Sequence, residues 1–360
     1  MATPTSDPDK PASPYLPGFE VDISTHTAPP AFGGGGVYPM GSYSWSTDEW
    51  LHSVTQTTHV LTHPPIETPT PAQQNTARLV VTKSLAIGNA RGAQILLCSI
   101  TPYKEGAKAF EAVAKIYDPL YYPPFSDIGS HPSDVVGQAD ADYSKEVAAY
   151  KCLSKAGQTG SFAPAFYGSW TFSLPTSYKQ EISQRNIRLI LIEYISGVCM
   201  KDLFVKNGPN QIDATHLSKE YRLYVLSVLL DGVAKQHHAG VDQRDLAPRN
   251  VIITPPPNLM EKHPQRVVLV DYNISTVWEK TKYGKLPAQL AKLPPNPMKR
   301  FWTTSLSDLD GWAPPELCSN RRLRQEWLRR EFGGEKKVLY EPFEEELEMY
   351  EPQEDLAVMQ

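Results

Sequence analysis

Proline is the residue that most limits what this chain can fold into. There are 33 prolines among 360 residues against 22 glycines, and twelve of them fall in the first 77 positions. Proline has no N–H for a helix or sheet ladder and fixes its own φ, so a segment punctuated this way suits neither a long helix nor a central strand. Residues 1–77 also mix Thr, Ser and Gly, with the run Gly33–Gly36 and the string PPIETPTPAQQ, and show little apolar periodicity. Such a segment buries too little apolar area to offset its ordering entropy, so a disordered N-terminal segment is expected over 1–77. One short helix is expected within it at Ser46–Val54, where STDEWLHSV gives an N-cap signal followed by acids and offers Trp50 for docking.

The texture changes at Ala77. The runs ARLVVTKSLAI and AQILLCSI are apolar and β-rich, separated by Gly88-Asn89-Ala90-Arg91-Gly92, which reads as a hairpin; Phe110–Tyr117 follows as a third run. Pro119–Asp140 reads as a loop, and Asp142–Lys155 as a helix with Val147, Tyr150 and Leu153 at helical spacing. Phe166–Phe172 and Ile187–Ile195 complete five strands, the last too uniformly apolar to face water on either side. Beyond them, His216–His238 is a long apolar helix ended by Gly240, in the position of a left-handed cap. Short strands at Val251–Thr254 and Arg266–Asp271 follow. A last helix over 321–332 is expected to turn Leu323, Trp327, Leu328 and Phe332 to one side.

Charge is uneven along the chain. Residues 1–77 carry one lysine against seven acids, and residues 341–355 carry eight acids and no base, so a net charge of −5 leaves +9 on the rest. A cationic core between acidic flanks suits nucleotide phosphates. No RNP-like aromatics, basic heptads or finger spacing support nucleic-acid binding. Cys98, Cys152, Cys199 and Cys318 form no C-x-x-C pair, and the nine histidines offer no zinc spacing. The opening MATPTSDPDK lacks the features of a secretory signal, and no apolar run approaches the roughly 18–20 residues of a membrane span. An intracellular protein, cytoplasmic or nuclear and off the membrane, is expected.

The most specific signal is Gln243–Asn250, QRDLAPRN, at the exit of the long helix. It sets Asp245 and Asn250 five residues apart in a loop, and the run VVLVD delivers Asp271 at a strand end 21 residues later. An Asp to orient a hydroxyl, with an Asn and a second Asp to hold a divalent cation against phosphates, are the parts phosphoryl transfer needs. At these residues the chain resembles the protein-kinase superfamily, whose catalytic loop H-R-D-L-x-x-x-N is followed by D-F-G. The form HxGVxQRDLAPRNVI looks especially like the short kinase-like proteins common in fungi.

The resemblance covers residues 78–334 and implies an α+β, two-lobed kinase-like fold. Its small lobe, about 78–195, would hold a five-stranded antiparallel sheet and one helix; its large lobe, about 196–334, would be mainly helical and shortened, with a disordered acidic tail over 335–360. It implies ATP and Mg²⁺ as cofactors and transfer of the γ-phosphoryl group to a hydroxyl, of protein Ser/Thr or of an unidentified small molecule. Lys115 would then grip the phosphates, paired with Glu146, and Glu193 would open the hinge segment EYISG beside the adenine. Asp245 would be the catalytic base with Arg244 bracing the loop, Asn250 and Asp271 the metal ligands, and His238 structural. An alternating strand puts Val113 and Lys115 on one face, which suits a lysine whose stem packs in a cleft.

The pattern also departs from the family. The phosphate loop keeps Gly88 but places Ala90 and Ala93 where glycines are expected, with Gly92 as partial compensation, and an alanine Cβ obstructs close backbone approach. Gln243 replaces the loop histidine. Asp271-Tyr272-Asn273 replaces D-F-G, with Tyr272 able to keep the aromatic packing and Asn273 tolerant of left-handed geometry. Only 63 residues separate Asp271 from Gly334, so the platform for protein substrates is shortened. Two alternatives stay open: a pseudokinase that binds or scaffolds without turnover, and a small-molecule kinase of the aminoglycoside or choline type.

Overall fold

A computed structural model describes residues 7–33, 35–39, 43–70, 72–89, 91–125, 131–209, 212–256, 263–342 and 349. They fall into two compact units: residues 1–160, 164–194 and 272–282 form the first, and 161–163, 195–271 and 283–360 the second.

Unit 1 is built on six strands: β1 (Glu20–Thr25), β2 (Thr76–Ala86), β3 (Gln94–Pro102), β4 (Phe110–Tyr117), β5 (Phe166–Tyr178) and β6 (Glu181–Ile192). They close into an antiparallel barrel in the order β1-β2-β3-β4-β6-β5. This overturns the expected kinase-like two-lobed fold with its five-stranded antiparallel sheet. The strand that closes the barrel comes from the segment expected to be disordered. β1 pairs with β2 from Glu20↔Val80 to Ser24↔Thr76, and with β5 through Ser24↔Thr171 and Thr25↔Trp170. Closure removes both sheet edges and covers the apolar rows of their neighbours, including Leu79, Val81, Phe172 and Leu189. β5 and β6 are joined through Lys179 and Gln180, both with positive φ (49° and 70°), the backbone of a tight hairpin turn that follows strand twist.

The rest of the N-terminal segment is also built in. Tyr15 is fully buried and its hydroxyl donates to Asp118 Oδ2 (2.5 Å), while Arg185 Nη1 donates to Asp118 Oδ1 (2.5 Å). Two short helices follow, α1 (Asp48–Ser53) and α2 (Gln56–Thr62), each capped by a threonine side chain. The first is the expected short helix, and Trp50 Nε1 donates to His59 Nδ1 on α2 (3.3 Å).

Helix α3 (Val135–Lys155) begins seven residues before the expected Asp142, inside what read as a loop. Asp134 is its N-cap and accepts from the Gly137 amide (2.9 Å), and Val135 and Val136 are buried from the first turn. The strand β13 (Thr276–Val277) also belongs to this unit.

Unit 2 centres on α4 (Lys219–His238), capped by Ser218 and ended at Gly240 (φ 88°), as the sequence predicts. The strands β7 (Val198–Cys199), β11 (Val251–Thr254) and β12 (Arg266–Leu269) form a small antiparallel sheet. Short strands β8 (Val205–Lys206) and β9 (Ile212–Asp213) pair as a hairpin, and β10 (Val241–Asp242) follows α4. Gly197 lies so close to the Ile253 carbonyl that a Cβ there would sit 2.5 Å from its oxygen. Helices α5 (Pro297–Phe301), α6 (Pro315–Ser319) and α7 (Arg321–Phe332) pack a core of Leu226, Leu230, Phe301, Trp302, Trp327 and Phe332. Leu323 is exposed rather than buried with Trp327, Leu328 and Phe332, because the core-facing stripe of α7 runs through Arg324 and Gln325 instead. Residues 335–339 form a 3-10 turn and Tyr340 is buried, so this part of the expected disordered tail is folded; 343–348 and 350–360 lie outside the described residues. No helix among the described residues is long and apolar enough to cross a membrane.

Two measurements check this architecture. Ile23, 1% exposed on β1, is expected to cost about 2–5 kcal/mol of urea-unfolding stability when changed to Ala, whereas Ile182→Ala, at a position 76% exposed, leaves stability unchanged. Burial holds the Asp140 carboxyl up at about 6, with Glu67 and Asp134 pushing the same way against the Ile66 amide and Arg188. Its folded value exceeds its unfolded one, so its contribution to stability is full below about pH 4 and lost as pH rises through 6. Asp140→Asn, which keeps an acceptor for the Ile66 amide, should match wild type at pH 4 and exceed it by up to about 3 kcal/mol at pH 7.5.

Candidate functional site

In unit 1 the chemistry gathers on one buried carboxylate. β4 alternates, so Val113, Lys115 and Tyr117 share a face. Lys115 Nζ lies 2.5 Å from Glu146 Oε2, the Tyr117 hydroxyl donates to the same oxygen (2.6 Å), and the Tyr272 amide donates to Oε1 (3.2 Å). Lys115 is 6% exposed and Glu146 fully buried. Burial and the neighbouring Glu146 carboxylate push the Tyr117 phenol well above its ordinary value, so it stays a donor. The predicted Lys115–Glu146 pair is thus formed. Tyr117 was missed by the sequence reading, although one further step of the β4 alternation reaches it.

The loop at Gly88–Gly92 is tied to itself. The buried Gln94 side chain accepts from the Gly88 amide (2.8 Å) and donates to the carbonyls of Gly88 (3.2 Å) and Gly92 (3.3 Å). Gly88 has φ 132°, and a Cβ at Gly92 would press on the Tyr122 ring at 3.3 Å. Ala93 is half-buried beside Gln94, and Ala90 lies outside the described residues. The Gly88 amide is therefore committed within the loop. Glu193 closes on the backbone: its carboxylate accepts from the Ala165 amide (2.9 Å) and its own amide donates to the Ala165 carbonyl (2.9 Å).

In unit 2 the loop after β10 is organised by Gln243, 6% exposed. Its Nε2 donates to the carbonyls of Val270 (3.1 Å) and Asp271 (2.8 Å), and its Oε1 accepts from the Asp245 amide (2.7 Å). Asn250 Nδ2 donates to the Asp245 carboxylate (2.7 Å) and carbonyl (2.9 Å), while Arg249 holds the other Asp245 oxygen at 2.5 Å. Both Asn250 amide hydrogens are thereby used, which turns its carbonyl oxygen into the atom free to ligate a cation. The Val270 amide donates to the Asn250 carbonyl (2.9 Å), so Asn250 and the segment leading to Asp271 are coupled through the backbone.

Asp245 and Asn250 are thus joined directly, and Asp271 is tied to the same loop through its backbone carbonyl on Gln243. Arg244 is exposed with φ 71°, and it lines a cavity of about 450 Å³ with Gln236, Gln243, Arg300, Thr304 and Asp308. The left-handed residue at the second motif is Asp271 (φ 66°) rather than Asn273. Tyr272 is fully buried against Tyr150, ring centroids 5.2 Å apart, as expected of the aromatic position. His238 binds the Ala291 carbonyl (3.0 Å), a structural role.

An oxygen-only donor pair, an amide carbonyl and a carboxylate, fits a hard cation such as Mg²⁺. Among the described residues no group of three or more His, Cys, Asp and Glu gathers for a metal. No protein-family model matches the chain, and no curated protein matches it in sequence.

Gln243 gives the sharpest test of this geometry. Gln243→Ala strips partners from two carbonyls and one amide and is expected to lower unfolding free energy by about 1–3 kcal/mol. Gln243→Glu, which turns a carboxylate oxygen toward the same carbonyls, should lower the urea midpoint further at pH 7.

Proposed function

We propose that the chain is an ATP-dependent phosphotransferase acting on a hydroxyl, with Mg²⁺ as its metal. The observation that carries this reading is that Gln243 and Asn250 hold Asp245 and the Asp271 backbone at one loop of unit 2. A carboxylate beside an oriented carboxamide, with a second Asp on the adjoining backbone, is a combination that phosphoryl transfer uses. Asn250 and Asp271 would hold the metal. Mg-ATP, when bound, supplies the phosphoryl group and offsets its charge. Asp245 would take the acceptor's proton as the acceptor oxygen bonds to the γ-phosphorus, while the bond to the β-bridging oxygen breaks and its electron pair leaves on ADP.

In unit 1, taken by itself, Lys115 held by Glu146 would be a candidate contact for a phosphate. The buried pair supports this: ion pairs of this kind seldom repay their desolvation in stability, so their retention favours a role beyond packing. The cavity beside Gln243 and Arg244 is large enough for an alcohol side chain or a compact hydroxylated molecule.

A second reading, a nucleotide-binding or scaffolding module without turnover, is favoured by the Gly88–Gly92 loop, whose Gly88 amide is taken by Gln94. Thermal unfolding of the full chain separates binding from its absence. Mg-ATP at about one hundred times its dissociation constant should stabilise by roughly 2.7 kcal/mol, a rise of several degrees. The rise should need Mg²⁺ and vanish in Asp271→Ala; no shift in wild type overturns both readings. With binding in hand, transfer of labelled phosphoryl to protein or to small amino alcohols should be abolished in Asp245→Asn. Transfer unchanged by that substitution overturns the role given to Asp245, and binding without any transfer selects the second reading.

A further inference from the structure

Helix α3 carries Glu146, and the N-terminal segment holds that helix at every turn before it. Asp134, its N-cap, accepts from the Tyr43 hydroxyl (2.8 and 2.9 Å), the Ser46 amide (2.9 Å) and His59 Nε2 (3.0 Å). One turn on, Gly137 lies under Tyr43 and Trp45, where a Cβ would sit 2.5 and 2.6 Å from their rings. The Ile66 amide donates to Asp140 Oδ2 (2.5 Å), and Tyr143 meets His26 Nδ1 (2.8 Å).

The last of these contacts leads to the ion pair. The Thr68 hydroxyl donates to the Thr27 carbonyl, so its oxygen accepts from His26 Nε2–H (3.2 Å). His26 Nδ1 is then bare and accepts the Tyr143 hydroxyl proton. Burial and the nearby Arg188 hold the imidazole down at about 4, so it is neutral and keeps this tautomer at physiological pH. The Tyr143 ring meets Tyr117 edge-on at 5.5 Å, and Tyr117 donates to the Glu146 oxygen that Lys115 binds. At the other end, Trp50 Nε1–H fills His59 Nδ1, so His59 Nε2–H is the donor to Asp134.

We propose that His26 and His59, each fixed in orientation by partners on both ring nitrogens, are positioning residues that make the N-terminal segment a strap on α3 and so set where Glu146 meets Lys115. The consequence for nucleotide affinity rests on the phosphotransferase reading; the geometric claim does not.

The test is made on the full chain without ligand, by the rate at which acetic anhydride modifies Lys115 relative to the exposed Lys337, read by peptide mass spectrometry. A lysine tightly paired with a buried carboxylate reacts slowly. His26→Ala and His59→Ala are expected to speed Lys115 labelling at least threefold. His26→Asn, which keeps an acceptor near the Nδ1 position, and His59→Gln, which keeps a donor near Nε2, should return it to within twofold of wild type. Ile100→Ala, buried on β3 whose ladder partners are β2 and β4, serves as the control for general destabilisation. Labelling unchanged in both alanine variants, or raised equally by Ile100→Ala, overturns the proposal. Mg-ATP binding is measured on the same variants: a wild type that fails to bind sinks the phosphotransferase reading alone, while the labelling still decides the strap.

Discussion

The carboxylate of Glu146 is the constraint around which unit 1 is arranged. A charge with no exposure to water costs several kcal/mol unless its oxygens are filled by well-placed partners. The chain supplies three: an ammonium from β4, a phenol two residues further along the same face, and a backbone amide from Tyr272. Each fixes something larger. The first two require β4 to keep its alternation and register beneath α3, and the third fixes the path of the segment that follows Asp271. The pair is a weak source of stability and a strong source of position.

Closure of the barrel answers a different demand. β4 and β6 are buried on both faces over much of their length, so an open sheet would leave its outer rows and edges in contact with water. The segment Glu20–Thr25, between prolines and poor in apolar residues, supplies the missing strand because one inward side chain, Ile23, and two ladders of backbone hydrogen bonds suffice. Tyr15, Asp118 and Arg185 then anchor the entry to that strand with a buried, charge-assisted network. A proline-rich chain need not be disordered when its extended backbone is wanted by an edge.

This is why the sequence pointed to groups of polar residues that the structure gathers, and misled about architecture. Lys115, Glu146, Asp245, Asn250 and Asp271 stand out by residue type and spacing, and the structure pairs the first two in unit 1 and, in unit 2, joins Asp245 to Asn250 with the Asp271 backbone tied to the same loop by Gln243. The helix α4 and its glycine stop were legible from local periodicity. The closing strand was not, because its partners lie 50 or more residues away and nothing in EVDIST reports them. The start of α3 was hidden for a similar reason. Asp134 reads as one more loop acid until the groups that converge on it, the Tyr43 and His59 side chains and the Ser46 amide, are in place.

The Gly88–Gly92 loop differs physically from a loop built to cradle phosphates. A loop that cradles phosphates offers free amides at a close-approach backbone. Here Gln94 occupies the Gly88 amide and ties two loop carbonyls, and the ring of Tyr122 crowds Gly92. What the loop gives up in donors it gains in fixed shape. Within unit 1 the burden of phosphate contact therefore shifts from backbone dipoles to the single charge of Lys115. A lysine is a point charge on a flexible stem, so its usefulness depends on how rigidly that charge is aimed. The aim comes from Glu146, and through α3 from the segment that looked, in sequence, least able to hold anything in place.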